Sequence, residues 1–274
     1  MVVDVRAEIV ANTALSDDYN VLTLAAPAIA ERARPGQFVM VKTSEGLDPL
    51  LRRPFSLFEV IRDRSARATG FSLLVKRVGI GTAQLYSARP GDALQCLGPL
   101  GQAFSPVVPP AKAWMVAGGV GLAPFATLGA ALRAAGTDTT LFYGARRAAD
   151  LFCIPIFDAL GIRVVTATED GSQGARGFVT APLETAIDGL ATGDRAQIYA
   201  CGPTPMMRAV SMLAASKGLP CVVSLEQVMG CGMGGCYSCV VRVRQADGQP
   251  HFVRSCLSGP VFDGATIVWE ELSH

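Results

Sequence analysis

Four cysteines near the C-terminal end carry the densest chemistry in the sequence. Cys231, Cys236 and Cys239 stand in the run Cys231-Gly232-Met233-Gly234-Gly235-Cys236-Tyr237-Ser238-Cys239, and Cys256 follows after an intervening hairpin pattern. Their order, C-x4-C-x2-C…C, is that of plant-type [2Fe–2S] ligation. One peptide segment must then wrap a compact inorganic core. Glycines at 230, 232, 234 and 235 permit positive φ and let backbone N–H groups approach the sulfurs. A structural zinc site also uses four cysteines, but draws them from two short C-x2-4-C pairs. Here a triplet faces one distant cysteine, so zinc stands as the second reading. A disulfide framework fits less well, because the cysteines cluster and the first residues lack the basic and apolar regions of a secretory signal. Cys96, Cys153 and Cys221 have no ligand spacing and read as small buried hydrophobes.

The elements that must position this loop fall into three expected modules, giving a multidomain α+β fold. Residues 1–105 read as an all-β module: the apolar runs Phe38–Val41, Phe55–Ile61 and Phe71–Val75 are separated by turn dipeptides such as Pro35-Gly36 and Pro90-Gly91, which suits a small antiparallel barrel. A short helix is expected from Gly81-Thr82 to about Ala88. Residues 106–225 alternate strands with helices, the pattern of a parallel α/β sheet. The expected strands are Trp114–Ala117, Thr140–Tyr143, Arg163–Thr166, Gln197–Ala200 and Cys221–Leu225. The expected helices run to about Ala135, over 150–160, after Thr180, and over 204–217 with Gly218 ending the last. Residues 226–274 hold the cysteine loop and a hairpin, Val240–Arg244 and His251–Val253, joined at Ala246-Asp247-Gly248-Gln249.

Other motifs point to nucleotides. Arg53 of Arg52-Arg53-Pro54-Phe55-Ser56 can pair with a phosphate, although the same run suits a plain strand edge. Leu74-Val75-Lys76 runs into Val78-Gly79-Ile80-Gly81-Thr82, a strand followed by a helix start whose Gly81 and Thr82 amides would face a pyrophosphate. Gly118-Gly119-Val120-Gly121-Leu122-Ala123-Pro124 also opens a helix after a strand, without the G-x-G-x-x-G spacing. Cys201-Gly202-Pro203 ends a parallel strand, where open α/β sheets bind ligands. Gly171, Gly174 and Gly177 mark a loop that reads equally as a mobile ribose lining or a plain surface loop. Arg146 and Arg147 could meet a 2′-phosphate, whereas Asp150, Glu169 and Asp170 would repel one, so these residues alone leave NAD and NADP open.

Arg-Pro-Phe-Ser, the Gly-x-Gly-Thr turn, Gly-Gly-Val-Gly-Leu-Ala-Pro and Cys-Gly-Pro-x-Pro-Met, in this order, resemble the ferredoxin–NADP reductase superfamily over essentially the whole chain. The cysteine loop with Cys256-Leu257-Ser258-Gly259-Pro260 resembles one branch, the electron-transfer subunits of type B, NAD-dependent dihydroorotate dehydrogenases. The resemblance implies FAD held by Arg53, Pro54, Phe55, Ser56, Leu74, Val75, Lys76, Gly81 and Thr82. It implies NAD beside Gly118, Gly119, Gly121, Cys201, Gly202 and Pro203, with Ser56 and Cys201 at the reacting flavin and nicotinamide. It implies a [2Fe–2S] cluster on Cys231, Cys236, Cys239 and Cys256. The implied partner is an FMN-containing dihydroorotate dehydrogenase catalytic subunit, two of each chain forming a heterotetramer in pyrimidine biosynthesis. Electrons would pass from its FMN through the cluster and FAD to NAD⁺.

Composition excludes several classes. Lys and Arg number 24 against 23 Asp and Glu, which leaves no basic footprint for nucleic acid. Apolar runs are broken well short of the roughly 18 residues of a membrane span, and a reducing cytoplasm suits the thiols. With only two histidines, His251 and His274, the chemistry is expected to belong to bound cofactors. Two alternatives stay open: a reductase of the same superfamily serving a hydrogenase, a sulfite reductase or ferredoxin, and a non-enzymatic zinc-bearing scaffold.

Overall fold

Alternating apolar residues over the first hundred positions form the strands of an antiparallel sheet in a computed structural model that describes residues 1–44, 46–245 and 247–272. Ala246 of the expected hairpin turn and His274 lie outside the described residues. The elements are β1 (Val3–Ala14), β2 (Tyr19–Ala25), α1 (Pro27–Ala30), β3 (Phe38–Lys42), β4 (Arg53–Ser56), β5 (Glu59–Arg62), β6 (Ala68–Lys76), α2 (Ile80–Ser87) and β7 (Ala93–Leu100). The sheet order is β4-β3-β7-β1-β2-β6-β5. The two outermost strands, β4 and β5, are separated in sequence only by Leu57 and Phe58, so the sheet must curl round. The Leu57 amide donates to the Gln37 carbonyl and the Phe58 amide to the Ser72 carbonyl, each at 3.0 Å. The expected single run Phe55–Ile61 is therefore two strands, split where the chain crosses from one sheet end to the other.

Period-two burial fills the curl: Leu22 and Leu24 from β2, Val39 and Val41 from β3, and Phe71, Leu73 and Val75 from β6 share one core with Leu85 of α2. The opposite face of β3 is also covered. Phe38 and Met40 join Leu97, Leu100, Met229, Cys239 and Cys256 in a second apolar cluster. Burial of both faces explains why Phe38–Val41 reads as an unbroken apolar run.

The second unit is built on β8 (Lys112–Gly118), α3 (Ala123–Ala134), β9 (Thr139–Ala145), α4 (Ile154–Ala159), β10 (Arg163–Thr168), β11 (Ala175–Arg176), α5 (Thr180–Asp188), β12 (Ala196–Cys201), α6 (Thr204–Ser216) and β13 (Cys221–Ser224). Its strand pairings are parallel, β11-β10-β9-β8-β12-β13, over a core that includes Trp114, Val116, Phe142, Leu183, Ile198 and Val210. Gly218, at φ 68°, ends α6 as expected. The expected helix at 150–160 is shorter, because Cys153 takes a left-handed φ of 59° just before α4.

The C-terminal segment adds β14 (Val240–Arg244), β15 (Pro250–Arg254), α7 (Ser255–Ser258) and β16 (Val261–Asp263). The last of these, three residues too short to signal itself, pairs antiparallel with β13. The expected module 226–274 divides between the two compact units. Gln227–Val240 and Arg254–Pro260 belong with the antiparallel sheet; Val241–Val253 and the chain from Val261 belong with the parallel one.

Candidate functional site

The cysteine loop is shaped by residues that tolerate left-handed backbone. Gly232 has φ 73° and Gly234 φ 82°, and Tyr237 joins them at 60°, a conformation that strains a residue with a side chain. A Cβ on Gly232 would lie 2.5 Å from Met40 Cγ, so the glycine lets the loop settle on β3. Amides then point at sulfur. Cys231 Sγ accepts from the Met233 amide at 3.4 Å and the Gly235 amide at 3.2 Å. Cys239 Sγ accepts from the Cys256 amide at 3.5 Å. Ser238 Oγ accepts from the Gly230 amide at 2.8 Å and lies within hydrogen-bond distance, 3.2 Å, of Cys236 Sγ.

The Ser238 hydroxyl, its amide and the Cys231 thiol, in that order, pull Cys236 down to about 6. Cys256 is pushed up to about 12, first by burial and then by the adjoining Cys239 thiol. The thiols thus stand as two contacting pairs, Cys231 with Cys236 and Cys239 with Cys256. No group of three or more His, Cys, Asp or Glu side chains suited to one metal ion occurs among the described residues. A single zinc ion needs four donors around one centre, whereas two pairs of cysteines, each with an N–H donor to one of its sulfurs, fit a two-iron core.

The flavin motif lies in the same unit. In the β3–β4 register Phe38 faces Ser56, Val39 faces Phe55, Met40 faces Pro54 and Val41 faces Arg53. Directly opposed residues share a sheet face. Pro54 and Ser56 therefore lie on the face where Phe38 and Met40 carry the cysteine loop. Arg52 is paired with Asp4 at 2.8 Å. Arg53 Nη1 donates to the carbonyls of Leu51 (2.9 Å) and Arg52 (3.3 Å), and no carboxylate pairs with it among the described residues; its charge suits a phosphate. Leu74 and Val75 are buried and Lys76 ends β6 over the Tyr19 ring at 5.5 Å. The Thr82 hydroxyl is spent within its own turn, accepting from the Val78 and Gly79 amides at 2.8 and 3.0 Å. The first-turn amides of α2 have no acceptor inside the helix. Gly81 abuts Thr43, whose Oγ1 lies 3.2 Å from where a Cβ would stand.

In the second unit the chain leaves β8 toward β9 on one side and returns to β12 on the other. The carboxyl ends of β8 and β12 thus form the topological switch point, where open α/β sheets bind ligands. Gly118, Gly119 and Gly121 lie at the end of β8, and Cys201, Gly202 and Pro203 at the end of β12. A Cβ on Gly121 would stand 2.3 Å from the Cys201 carbonyl oxygen, and one on Gly202 3.0 Å from Gly118 Cα. Space freed by these glycines is filled by the neighbouring turn. Cys201 is 1% exposed. Burial, and secondarily the Glu226 carboxylate, hold its thiol well above the usual range against opposing hydrogen bonds from Ser224 and the Gly202 amide. Arg147 is tied to Asp150 at 3.3 Å, and Asp170 accepts from the Ser172 hydroxyl at 2.6 Å and its amide at 2.9 Å. The segment 170–177 is knitted further by β11 and by Thr168 Oγ1, which donates to the Gln173 carbonyl at 2.9 Å.

Sequence reasoning missed Ser224, Glu226, Ser238 and Arg254. Glu226 directly follows the expected strand Cys221–Leu225, and its place at the carboxyl edge of a parallel strand was the available signal. Ser238 lies between Cys236 and Cys239. Arg254, ending β15, donates Nη1 to the Gly234 carbonyl at 2.7 Å and stacks over the Tyr237 ring at 4.7 Å; no local pattern announces that.

Comparison with known proteins agrees with this layout. A family model described as an oxidoreductase NAD-binding domain matches residues 115–212. Another, described as the iron-sulfur cluster binding domain of dihydroorotate dehydrogenase B, matches residues 226–268. The electron transfer subunit of dihydroorotate dehydrogenase B (NAD(+)) from Desulforamulus reducens is 41% identical, over 89% of this chain and 90% of that one. The same subunit from Geobacillus thermodenitrificans is 35% identical, over 96% and 98%. A solved NADH-dependent reduced ferredoxin-NADP oxidoreductase superposes with a TM-score of 0.81 at 32% identity, covering 98% of this chain and 91% of that one. With a curled antiparallel sheet, a mixed α/β sheet and an iron–sulfur binding segment in common with such relatives, the chain belongs to the family of dihydroorotate dehydrogenase B (NAD(+)) electron transfer subunits.

Proposed function

We propose that this chain is the electron-transfer subunit of an NAD-dependent dihydroorotate dehydrogenase, an oxidoreductase subunit of pyrimidine biosynthesis that links an FMN-bearing catalytic subunit to NAD⁺. When bound, FAD exchanges a hydride with nicotinamide and releases electrons singly, and a [2Fe–2S] cluster carries one electron at a time. The chain's own residues hold these groups. Cys231 with Cys236, and Cys239 with Cys256, each offer two sulfurs to one iron. Arg53 and the first-turn amides of α2, Gly81 and Thr82 among them, offer positive partners to the FAD phosphates, while Pro54, Phe55, Ser56, Leu74, Val75 and Lys76 line the strands it follows. Gly118, Gly119, Gly121, Gly202 and Pro203 shape the switch-point crevice for NAD(H), and Cys201 gives it a neutral, water-excluding floor.

One observation carries the reading: Pro54 and Ser56 share a sheet face with Phe38 and Met40, on which the cysteine loop rests. That arrangement supports a flavin and a cluster served by one unit. The proposal includes a complex of two catalytic and two electron-transfer chains. It places the chain in the cytoplasm, where thiols that must load iron stay reduced; no helix among the described residues is long and apolar enough to cross a membrane. A second reading is favoured by the likeness to the ferredoxin-NADP oxidoreductase, namely service to a ferredoxin-type partner.

The test is anaerobic reconstitution with a dihydroorotate dehydrogenase catalytic subunit. Dihydroorotate-dependent formation of NADH that requires this chain is the expected result. NADH-driven ferredoxin reduction without it would favour the second reading, and zinc without iron in the purified chain would defeat both.

A further inference from the structure

Arg254 reaches the cysteine loop from the end of β15, two residues before Cys256. Its two contacts bracket the bend that carries Cys236: Nη1 donates to the Gly234 carbonyl at 2.7 Å, and the guanidinium covers the Tyr237 ring at 4.7 Å. The Gly234 carbonyl and the Gly235 amide belong to one peptide group. That amide donates to Cys231 Sγ at 3.2 Å. A continuous line therefore runs from the guanidinium through one peptide unit to a ligand sulfur. Hydrogen bonds in series polarise one another, so charge on the carbonyl side strengthens the N–H on the sulfur side.

The contacts are specific to arginine. Its planar fork can bond a carbonyl edge-on while its face stacks on an aromatic ring, which an ammonium cannot reproduce. The cation–π contact also covers Tyr237, the one residue with a side chain among the three left-handed positions of the loop, and so holds the strained bend closed. Half-buried, Arg254 is poorly screened.

We infer that Arg254 is a positioning residue that sets the reduction potential of the cluster, by polarising the Gly234–Gly235 peptide against Cys231 and by placing a fixed positive charge beside the loop. This rests on the cluster reading above. Hydrogen bonds and charge near cluster sulfurs stabilise the reduced, more negative form, so removing them makes the cluster harder to reduce.

The test uses the iron-loaded full chain and its Arg254→Gln and Arg254→Lys variants. Each is titrated anaerobically, with the reduced cluster followed by electron paramagnetic resonance and iron measured beforehand. The expected result is full iron in both variants. The reduction equilibrium in Arg254→Gln moves about tenfold toward the oxidised cluster, ~59 mV for one electron, and Arg254→Lys falls between it and the parent. An unchanged potential in Arg254→Gln with iron intact overturns the inference and leaves the cluster reading standing. If Arg254→Gln loses iron, Arg254→Lys decides: a lowered potential upholds the inference, while a parental potential or lost iron reduces Arg254 to a structural brace. Absence of iron from the parent chain defeats the cluster reading itself.

Discussion

Cysteine stands beside glycine in two loops of this chain, and the two loops use both residues in opposite ways. At 230–239 the glycines bend the backbone so that amides and a hydroxyl face sulfur, and Cys236 is drawn down to about 6. At the end of β12 the glycines let two turns close on each other, leaving Cys201 1% exposed with its thiol held well above the usual range by burial. Cys96 and Cys221, buried inside their sheets, are each pushed to about 12. Residue type alone therefore assigns no role. Cys231 accepts two amides of its own loop, whereas at Cys201 burial outweighs the hydrogen bonds from Ser224 and the Gly202 amide.

The largest effect should come from taking a sulfur out of the first loop. Cys239→Ala removes one thiol of the buried pair with Cys256 and the acceptor of the Cys256 amide. Iron should fall to background, with loss of electron transfer to the partner, while flavin reduction by NADH survives because its groups lie elsewhere. Iron analysis and anaerobic spectra check this. A full cluster in Cys239→Ala would break the contrast between the two loops at its root.

Filling the second loop should cost folding energy instead. In Gly121→Ala the new Cβ would stand 2.3–2.6 Å from Cys201 and Gly202 backbone atoms, which cannot swing aside, so about 3 kcal/mol of stability should be lost. Gly235→Ala in the cysteine loop meets only Cys231 Sγ, at 4.0 Å, and should be tolerated. Chemical denaturation of both variants sharpens the contrast, and equal losses would argue against it.

How much of this was legible follows from the range of each interaction. The cysteine loop was readable as part of an iron–sulfur segment, which the matching family model spans, because three of its cysteines lie close together in sequence and their spacing is chemical. The switch-point turns were readable because strand, glycine and helix follow one another in sequence. The hairpin was readable from Asp247-Gly248. The split at Leu57-Phe58 was not, since two apolar residues that bridge distant sheet ends look the same as two in mid-strand. Nor was the resting of the cysteine loop on Phe38 and Met40, a contact across nearly two hundred residues. Ser224, Glu226 and Arg254 act through partners that only the fold brings near.

The same lesson recurs in a neighbouring pair of like residues. Arg52 is committed to Asp4, a partly exposed pair of the kind worth about 1 kcal/mol or less. Among the described residues, Arg53 donates to two carbonyls of its own loop. Arg53→Ala should weaken FAD binding by about 1.5–3 kcal/mol, the range for a charge-assisted contact, or roughly 10- to 150-fold. Arg52→Ala should leave flavin occupancy near the parental level. Flavin retained after desalting separates the two, and equal retention would remove Arg53 from the phosphate site.

The smallest effect should be at Cys201, for which the resemblance implies a place at the nicotinamide and no nucleophilic role, and which the structure encloses. A nucleophile must reach its thiolate form, and this sulfur is buried, with the Glu226 carboxylate further disfavouring negative charge. Hydride transfer needs no covalent help from it. Cys201→Ala should cost about 1 kcal/mol of stability and leave FAD and iron contents unchanged. Flavin reduction by NADH should slow by less than the roughly 100-fold that an ångström of misplacement can cost, because the change is confined to one buried side chain. Stopped-flow reduction of the flavin measures this directly. Alkylation mapped by mass spectrometry on the iron-free chain should label the exposed Cys236 and spare Cys201. Covalent capture of substrate on Cys201, or its labelling ahead of Cys236, would show that burial does not separate the two cysteines.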